Sequence, residues 1–231
     1  MAAPAPIHLR PATDLAPRVL LPGDPHRALA VAQAILERPL MFNHARGLWG
    51  YTGRARDGEP LTVQATGIGG PSAAIVIEEL IALGARQLIR IGTCGALVGD
   101  LELGQLVVAA AVLAGDGASR ALGGAERIVP DPTLTRALAN AGARRAVVAS
   151  TDLFYDPRPN ADLRKAGAAV VEMEAAALLA LAERHGVEAA VLLAVTDQLA
   201  GAGRRRIEHE ALEPLGVRLG ETAWAALAAV A

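Results

Sequence analysis

The chain has 231 residues, 52% of them hydrophobic, with 22 basic and 24 acidic side chains and a formal net charge of -2. That length buries one substantial core without requiring a second domain, and the near balance of charge excludes a global field for nucleic acid or an acidic membrane surface. A single cysteine, Cys94, excludes an intrachain disulfide framework and a thiolate zinc cluster, and favours a reducing cytoplasm.

The first six residues have no basic region leading into an apolar core, so they do not read as a signal peptide. No uncharged apolar stretch reaches the length of a membrane-spanning helix. Val19-Leu20-Leu21 predicts a strand ended by Pro22-Gly23-Asp24-Pro25, and residues 25–37 follow as a helix with apolar spacing at Ala28, Val31, Ala32 and Ile35. Residues 48–55 and 61–66 flank Arg56-Asp57-Gly58-Glu59, an Asp-Gly hairpin signal. Gly67-Ile68-Gly69-Gly70 is a loop, after which Pro71 opens a helix to Leu83 that Gly84 stops.

Residues 87–91 read as a buried strand ending in a Gly92-Thr93-Cys94-Gly95 loop, and residues 105–113 as another strand. Residues 115–124, with three glycines beyond Gly115 at 117, 123 and 124, read as a surface loop. A helix over 132–141, strands over 146–150 and 170–173, a helix over 175–185 stopped by Gly186 and a last strand over 188–195 follow. Residues 207–231 form a long helical segment with candidate breaks at Pro214 and Gly216. Alternating strands and helices predict an α/β fold: one domain over 1–231, a central mixed sheet flanked by helices.

Three glycine-bearing loops each follow an apolar strand: Gly23-Asp24-Pro25-His26-Arg27, Gly67-Ile68-Gly69-Gly70-Pro71-Ser72 and Arg90-Ile91-Gly92-Thr93-Cys94-Gly95. Glycine admits close approach of backbone N–H groups, arginine supplies a rigid fork of donors and a hydroxyl adds one more, so Gly23, Arg27, Arg90 and Thr93 together suit a phosphate. Gly67-Ile68-Gly69-Gly70 is neither a dinucleotide fingerprint nor a Walker loop, which disfavours NAD and adenylate binding. Glu172 and Glu174, two apart, point the same way if the strand continues, and Glu174 equally suits the first turn of the helix after it. Asp197 ends an apolar strand with Thr196 beside it. Aromatics are only 3% of the chain, so Phe154 in a polar segment invites a stacking role.

In order and across nearly the whole chain, Leu21-Pro22-Gly23-Asp24-Pro25-x-Arg27, Gly67-x-Gly69-x-Pro71-Ser72, Arg90-Ile91-Gly92-Thr93-Cys94-Gly95, Val171-Glu172-Met173-Glu174 and Val195-Thr196-Asp197 resemble the hexameric class of bacterial nucleoside phosphorylases, which includes purine nucleoside and uridine phosphorylases. The resemblance implies that Gly23, Arg27, Arg90 and Thr93 bind phosphate, that Arg46 in Asn43-His44-Ala45-Arg46-Gly47 completes a neighbour's phosphate site, and that His8 reaches a neighbour's ribose 5′-hydroxyl. It makes Glu174 the partner of the ribose 2′- and 3′-hydroxyls, with Met173 packed on the sugar and Glu172 near it. Phe154 then stacks on the base beside Cys94, Gly95 and Thr196, and Asp197 protonates the departing purine at N7.

The implied reaction is reversible phosphorolysis of purine (deoxy)ribonucleosides to base and (deoxy)ribose 1-phosphate. Phosphate is a co-substrate and neither metal nor organic cofactor is needed. The implied assembly is a homo-oligomer, with a dimer as the minimal active unit and a hexamer of three dimers. Uridine-specific members carry a Gln-x-Arg pair that Asp156-Pro157-Arg158-Pro159-Asn160 lacks, although the Gly67–Ser72 and Asp116–Ser119 segments have a uridine-phosphorylase flavour. Uridine phosphorolysis is the nearest rival, ahead of a hydrolytic nucleosidase or a non-catalytic nucleoside-binding protein. Arg204, Arg205 and Arg206 read singly as a solvated basic loop, any of which is a candidate helper of Asp197.

Overall fold

A computed structural model describes residues 6–156, 160–200 and 203–230. Pro157, Arg158 and Pro159, together with Gly201 and Ala202 of the basic loop, lie outside the described residues. In chain order the elements are β1 (Arg18–Leu21), α1 (Pro25–Ile35), β2 (Leu36–Asn43), a 3-10 turn (Ala45–Gly47), β3 (Gly50–Ala55), β4 (Pro60–Gln64), α2 (Gly70–Ala82), β5 (Gln87–Ala96), β6 (Leu106–Ala114), α3 (Gly117–Ala121), β7 (Arg127–Ile128), α4 (Pro132–Asn140) and β8 (Arg144–Ser150). There follow α5 (Asn160–Lys165), β9 (Val170–Glu172), α6 (Ala175–His185), β10 (Glu188–Gln198), β11 (Arg205–Arg206), a second 3-10 turn (His209–Ala211) and α7 (Leu212–Ala228).

The strands join one mixed sheet in the order β11-β10-β6-β8-β9-β5-β1-β4-β3-β2, with β7 beside β6 and an additional pairing of β10 with β5. That last pairing closes β10, β6, β8, β9 and β5 into a ring. Parallel pairing of β5 with β10 runs from Gln87 opposite Glu188 to Ala96 opposite Gln198. Among the described residues two large hydrophobic cores fill the faces, beside a small one around Leu97, Ala149 and Ala168. One contains Val76, Ile77 and Leu80 of α2 with Leu178 and Leu181 of α6. The other contains Val31 and Ile35 of α1, Leu134 and Leu138 of α4, and Leu219 and Leu227 of α7. Helices on both sides of a mixed sheet are the α/β class that the alternation predicts.

Several expectations change. Residues 92–95 are not a loop: β5 continues through Ala96 because β10 and β9 both supply partners, with Gly95 opposite Val171. β2 had no strong sequence signal, since Leu36-Glu37-Arg38-Pro39-Leu40 does not alternate. It pairs with β3 only across two irregularities, with Arg38 at φ 44. Residues 115–124 are partly helical rather than a loop, because the Asp116 carboxylate caps α3 and both Asp116 and Ser119 are buried. Finally, α7 is unbroken. Pro214 stands in its first turn, where the N–H that proline lacks would have no intrahelical acceptor, and Gly216 lies inside the helix.

Candidate active site

The sheet leaves a cavity of about 650 Å3 lined by Gly23, Arg27, Arg90, Thr93, Cys94, Gly95, Phe154, Glu172, Met173, Glu174, Thr196 and Asp197, by Arg204 of the three candidate helpers, and by the unpredicted Ile68, Tyr155 and Leu199. Every expected site residue lines it except Arg46 and His8, the two expected to serve a neighbouring chain.

One end is cationic. Arg90 is buried on β5, and its guanidinium folds over Gly92, two residues on and on the same side of the strand. A Cβ at 92 would stand 2.6 Å from Arg90 Nη2, so any side chain there displaces the guanidinium. The Arg90 Nε–H donates to Glu172 Oε2 at 2.8 Å and its Nη2 pairs with Glu174. Burial works against this charge, but Glu174 and Glu172 outweigh it and hold the guanidinium above its ordinary value. Arg27 extends from the first turn of α1, where its N–H donates to the Asp24 cap at 2.8 Å. Burial lowers its affinity for a proton, with Asp24 opposing. Its guanidinium has no hydrogen-bond or ion-pair partner among the described residues, and neither has the Thr93 hydroxyl, so both keep their capacity for an anion.

The two glutamates differ. The strand does not continue past Glu172, and Glu174 takes the capping position of α6 without capping it. Glu172 makes the cap instead. Its carboxylate accepts from the N–H groups of Glu174 (2.8 Å) and Ala175 (2.9 and 3.0 Å), from Ser150 Oγ and from Arg90, while Ser150 Oγ accepts from Ala176 N–H at 2.9 Å. A carboxylate has about four lone-pair sites, so Glu172 is saturated by protein donors. Burial pushes its carboxyl up, with Arg90 opposing. Its expected place near the sugar is therefore corrected to a structural one: it caps α6 and orients Arg90. Glu174 accepts only from Gly69 N–H and Arg90 in the described structure, which leaves acceptor capacity facing the cavity.

At the other end, pairing of β10 with β5 slips between Val195 and Asp197, making Thr196 an extra residue. Such a bulge re-aims the following side chain. Asp197 thus enters the cavity and accepts from Thr196 Oγ1 at 3.0 Å and from Arg204 Nε at 2.8 Å, with Arg204 Nη2 also at 2.8 Å. Arg206, opposite Asp197 in the antiparallel β10–β11 pairing, brings Nε to 3.7 Å. The basic loop is therefore not simply solvated: Arg204 is the aspartate's partner. Sequence reasoning could not select it, since three adjacent arginines offer the same charge.

Arg204 also stands over the Phe154 ring at 4.8 Å, and Tyr155 meets that ring edge-on at 5.0 Å. Cation–π contact at a half-exposed site contributes about 0.5–1 kcal/mol, less than the roughly 1.5–3 kcal/mol of a hydrogen bond to a charged group. Asp197, not Phe154, therefore sets where Arg204 sits. Cys94 Sγ lies 3.5 Å from the Ala194 carbonyl, and burial pushes its thiol well up, so it stays protonated.

His8 and Arg46 stand elsewhere. Buried Glu79 of α2 accepts from the N–H groups of Ile7, His8 and Leu9 and contacts His8 Nδ1 at 2.7 Å. His8 is thus tied to α2. Arg46 is exposed in the 3-10 turn with φ 60, a left-handed conformation uncommon for a non-glycine.

Comparison with known proteins shows the family. Residues 17–230 match the family described as the Phosphorylase superfamily. Curated relatives include the DeoD-type purine nucleoside phosphorylases of Geobacillus kaustophilus, 36% identical over 80% of this chain and 83% of that protein, and of Caldanaerobacter subterraneus subsp. tengcongensis, 37% identical over 80% and 84%. That of Jannaschia sp. is 39% identical over 80% of this chain and 84% of its own length.

Proposed function

Because this chain belongs to the phosphorylase superfamily, we propose that it is a purine nucleoside phosphorylase, a pentosyltransferase that cleaves purine (deoxy)ribonucleosides reversibly with phosphate. The observation that carries the reading is the polarity of one cavity, with Arg27 and Thr93, unpaired among the described residues, beside Arg90 at one end and Asp197 with Arg204 at the other. The names of the relatives favour purine over uridine nucleosides.

In this reading phosphate is held by Gly23, Arg27, Arg90 and Thr93, where the two arginines offset its charge and the four groups together fix its attack on C1′. Glu174 grips the ribose hydroxyls through its remaining acceptor sites, with Met173 against the sugar. Phe154, Cys94, Gly95 and Thr196 surround the base. As the glycosidic bond breaks, negative charge grows on the purine and Asp197 delivers a proton to N7. Arg204 stabilises the aspartate that remains. Phosphate is the only co-reactant this scheme needs.

The reading extends to assembly. Residues 7–12 run between α2 and β2, with Ala12 N–H donating to the Phe42 carbonyl and Arg10 N–H to Asn43 Oδ1. Exposed Ile7, Met41 and Ile75 sit on these neighbouring pieces, with Leu40 and Ile68 close in sequence. An apolar face next to His8 and Arg46 suits a second copy whose cavity those residues complete, the dimer being the active unit and three dimers the hexamer. A reducing cytoplasm suits the buried, lone Cys94. Among the described residues no helix is long and apolar enough to cross a membrane.

Inosine, guanosine, adenosine and uridine assayed with and without phosphate test the function. Purine nucleosides should yield ribose 1-phosphate only when phosphate is present. Equal cleavage without phosphate points to a hydrolase, and preferential turnover of uridine to the rival phosphorylase.

A further inference from the structure

Glycine inside a helix is destabilising relative to alanine, so a glycine there calls for a packing reason. α7 has two, Gly216 and Gly220, one turn apart on the side that meets α1. A Cβ at 216 would stand 2.9 Å from Arg27 Cγ and 3.3 Å from its Cδ, and a Cβ at 220 would stand 2.4 Å from Val31 Cγ1. The glycines therefore admit successive turns of α1, with one difference. Val31 ends in the core, whereas Arg27 continues into the cavity beside Arg90 and Thr93.

The root of Arg27 cannot easily yield. Its Cα belongs to the first turn of α1, and its N–H is held by Asp24. Its guanidinium, in contrast, has no partner among the described residues to restore its position if the stem is displaced. The path of the stem across the bare backbone of Gly216 is what aims the charge.

We infer that Gly216, on a helix with no other part in the site, is a positioning residue for the co-substrate anion, its missing side chain setting where Arg27 meets phosphate. The inference rests on the phosphorolysis reading, which makes phosphate the ligand of Arg27. A methyl at 216 must move Arg27 Cγ by roughly half an ångström or more to reach ordinary contact, and the shift grows along the stem to the guanidinium. Misplacement of that size costs roughly tenfold to a hundredfold in a positioned reaction. Gly216→Ala also improves helix propensity, so stability and phosphate affinity should move independently.

Gly216→Ala and Gly220→Ala, each alone and in an Arg27→Ala background, test this through phosphate titration calorimetry on nucleoside-free protein and through KM for phosphate and for nucleoside. Gly216→Ala should raise the phosphate Kd and KM about tenfold, the loss of one charge-assisted hydrogen bond, and leave the nucleoside KM within about twofold. Gly220→Ala should change Tm but leave phosphate affinity within about twofold, and in the Arg27→Ala background Gly216→Ala should add less than about twofold.

Unchanged phosphate affinity in Gly216→Ala overturns the inference. So does an equal loss in Gly220→Ala, or a penalty that persists without Arg27. If Gly216→Ala alone does not fold, recovery of the fold in the double variant supports the conflict with the Arg27 stem, and failure to recover counts against it. Wild-type protein that binds phosphate yet cleaves no nucleoside refutes the functional reading instead, and the calorimetric comparison then still decides the role of Gly216.

Discussion

The floor of the cavity and its far wall are built differently. On the floor, Arg90, Glu172 and Glu174 are 5%, 4% and 7% exposed, and Glu172 alone ties together β5, β9, the end of β8 and the start of α6. On the wall, Phe154 and Tyr155 are 52% and 87% exposed, and the Arg204 side chain, at 40%, is held mainly by one carboxylate. A buried network of paired charges has a single geometry, since any displacement strands a charge in a poor solvent. Asp197 itself is buried, but the half-exposed groups around it tolerate displacement because water replaces each lost contact. Phosphate and ribose, common to all the proposed substrates, meet the rigid part, and the variable base meets the adaptable one.

The largest effect that can break this contrast is removal of the floor's cation. Arg90→Met leaves Glu172 and Glu174 buried without it, and should cost about 3–5 kcal/mol of stability along with activity. In a chain of this size that is a fall of roughly 10 °C in Tm by thermal unfolding, and an unchanged Tm would show that the floor is not a network. Asp197→Asn acts on the wall and should leave Tm nearly unchanged while kcat for inosine falls about 10²–10⁴-fold. A nucleoside whose base is already methylated and positive at N7 needs no proton and should be cleaved by this variant at close to the wild-type rate. If both substrates fail alike, Asp197 is not the acid.

Arg204→Gln sharpens the comparison further. It removes a partly solvated charged hydrogen bond, so kcat/KM should fall about tenfold with little change in stability; a stability loss like that of Arg90→Met would mean that the wall is as rigid as the floor. Phe154→Leu should give the smallest effect, a few-fold rise in nucleoside KM from the roughly 0.5–1.5 kcal/mol that aromatic contact adds. Its KM for phosphate should stay unchanged, a split that steady-state kinetics reads directly.

Much of this site is legible in the sequence. Gly23, Arg27, Arg90, Thr93, Glu174 and Asp197 declare themselves by residue type at the ends of apolar runs, and all line one cavity. Glu172 was misread because parity along a strand ignores where the strand stops: β9 ends there, and the carboxylate turns back onto the next helix. Arg204 was indistinguishable from Arg205 and Arg206. Only the hairpin register, which sets Arg206 opposite Asp197, and the loop that brings Arg204 onto the carboxylate separate them. Gly216 read as a helix break, whereas its partner is a side chain on α1.

Local chemistry by itself determined the element types, most turns and the kinds of group available to an anion, a sugar and a base, because periodicity, glycine punctuation and residue type are properties of neighbouring positions. Tertiary structure alone decided which carboxylate is consumed by the protein, which arginine meets Asp197 and why a helix needs glycine at 216. Those outcomes turn on contacts between segments such as Arg90 and Glu172, 82 positions apart, or Gly69 and Glu174, 105 apart. A carboxylate has only a few acceptor sites and a crossing of helices has only so much room, and what occupies them is settled when distant segments meet.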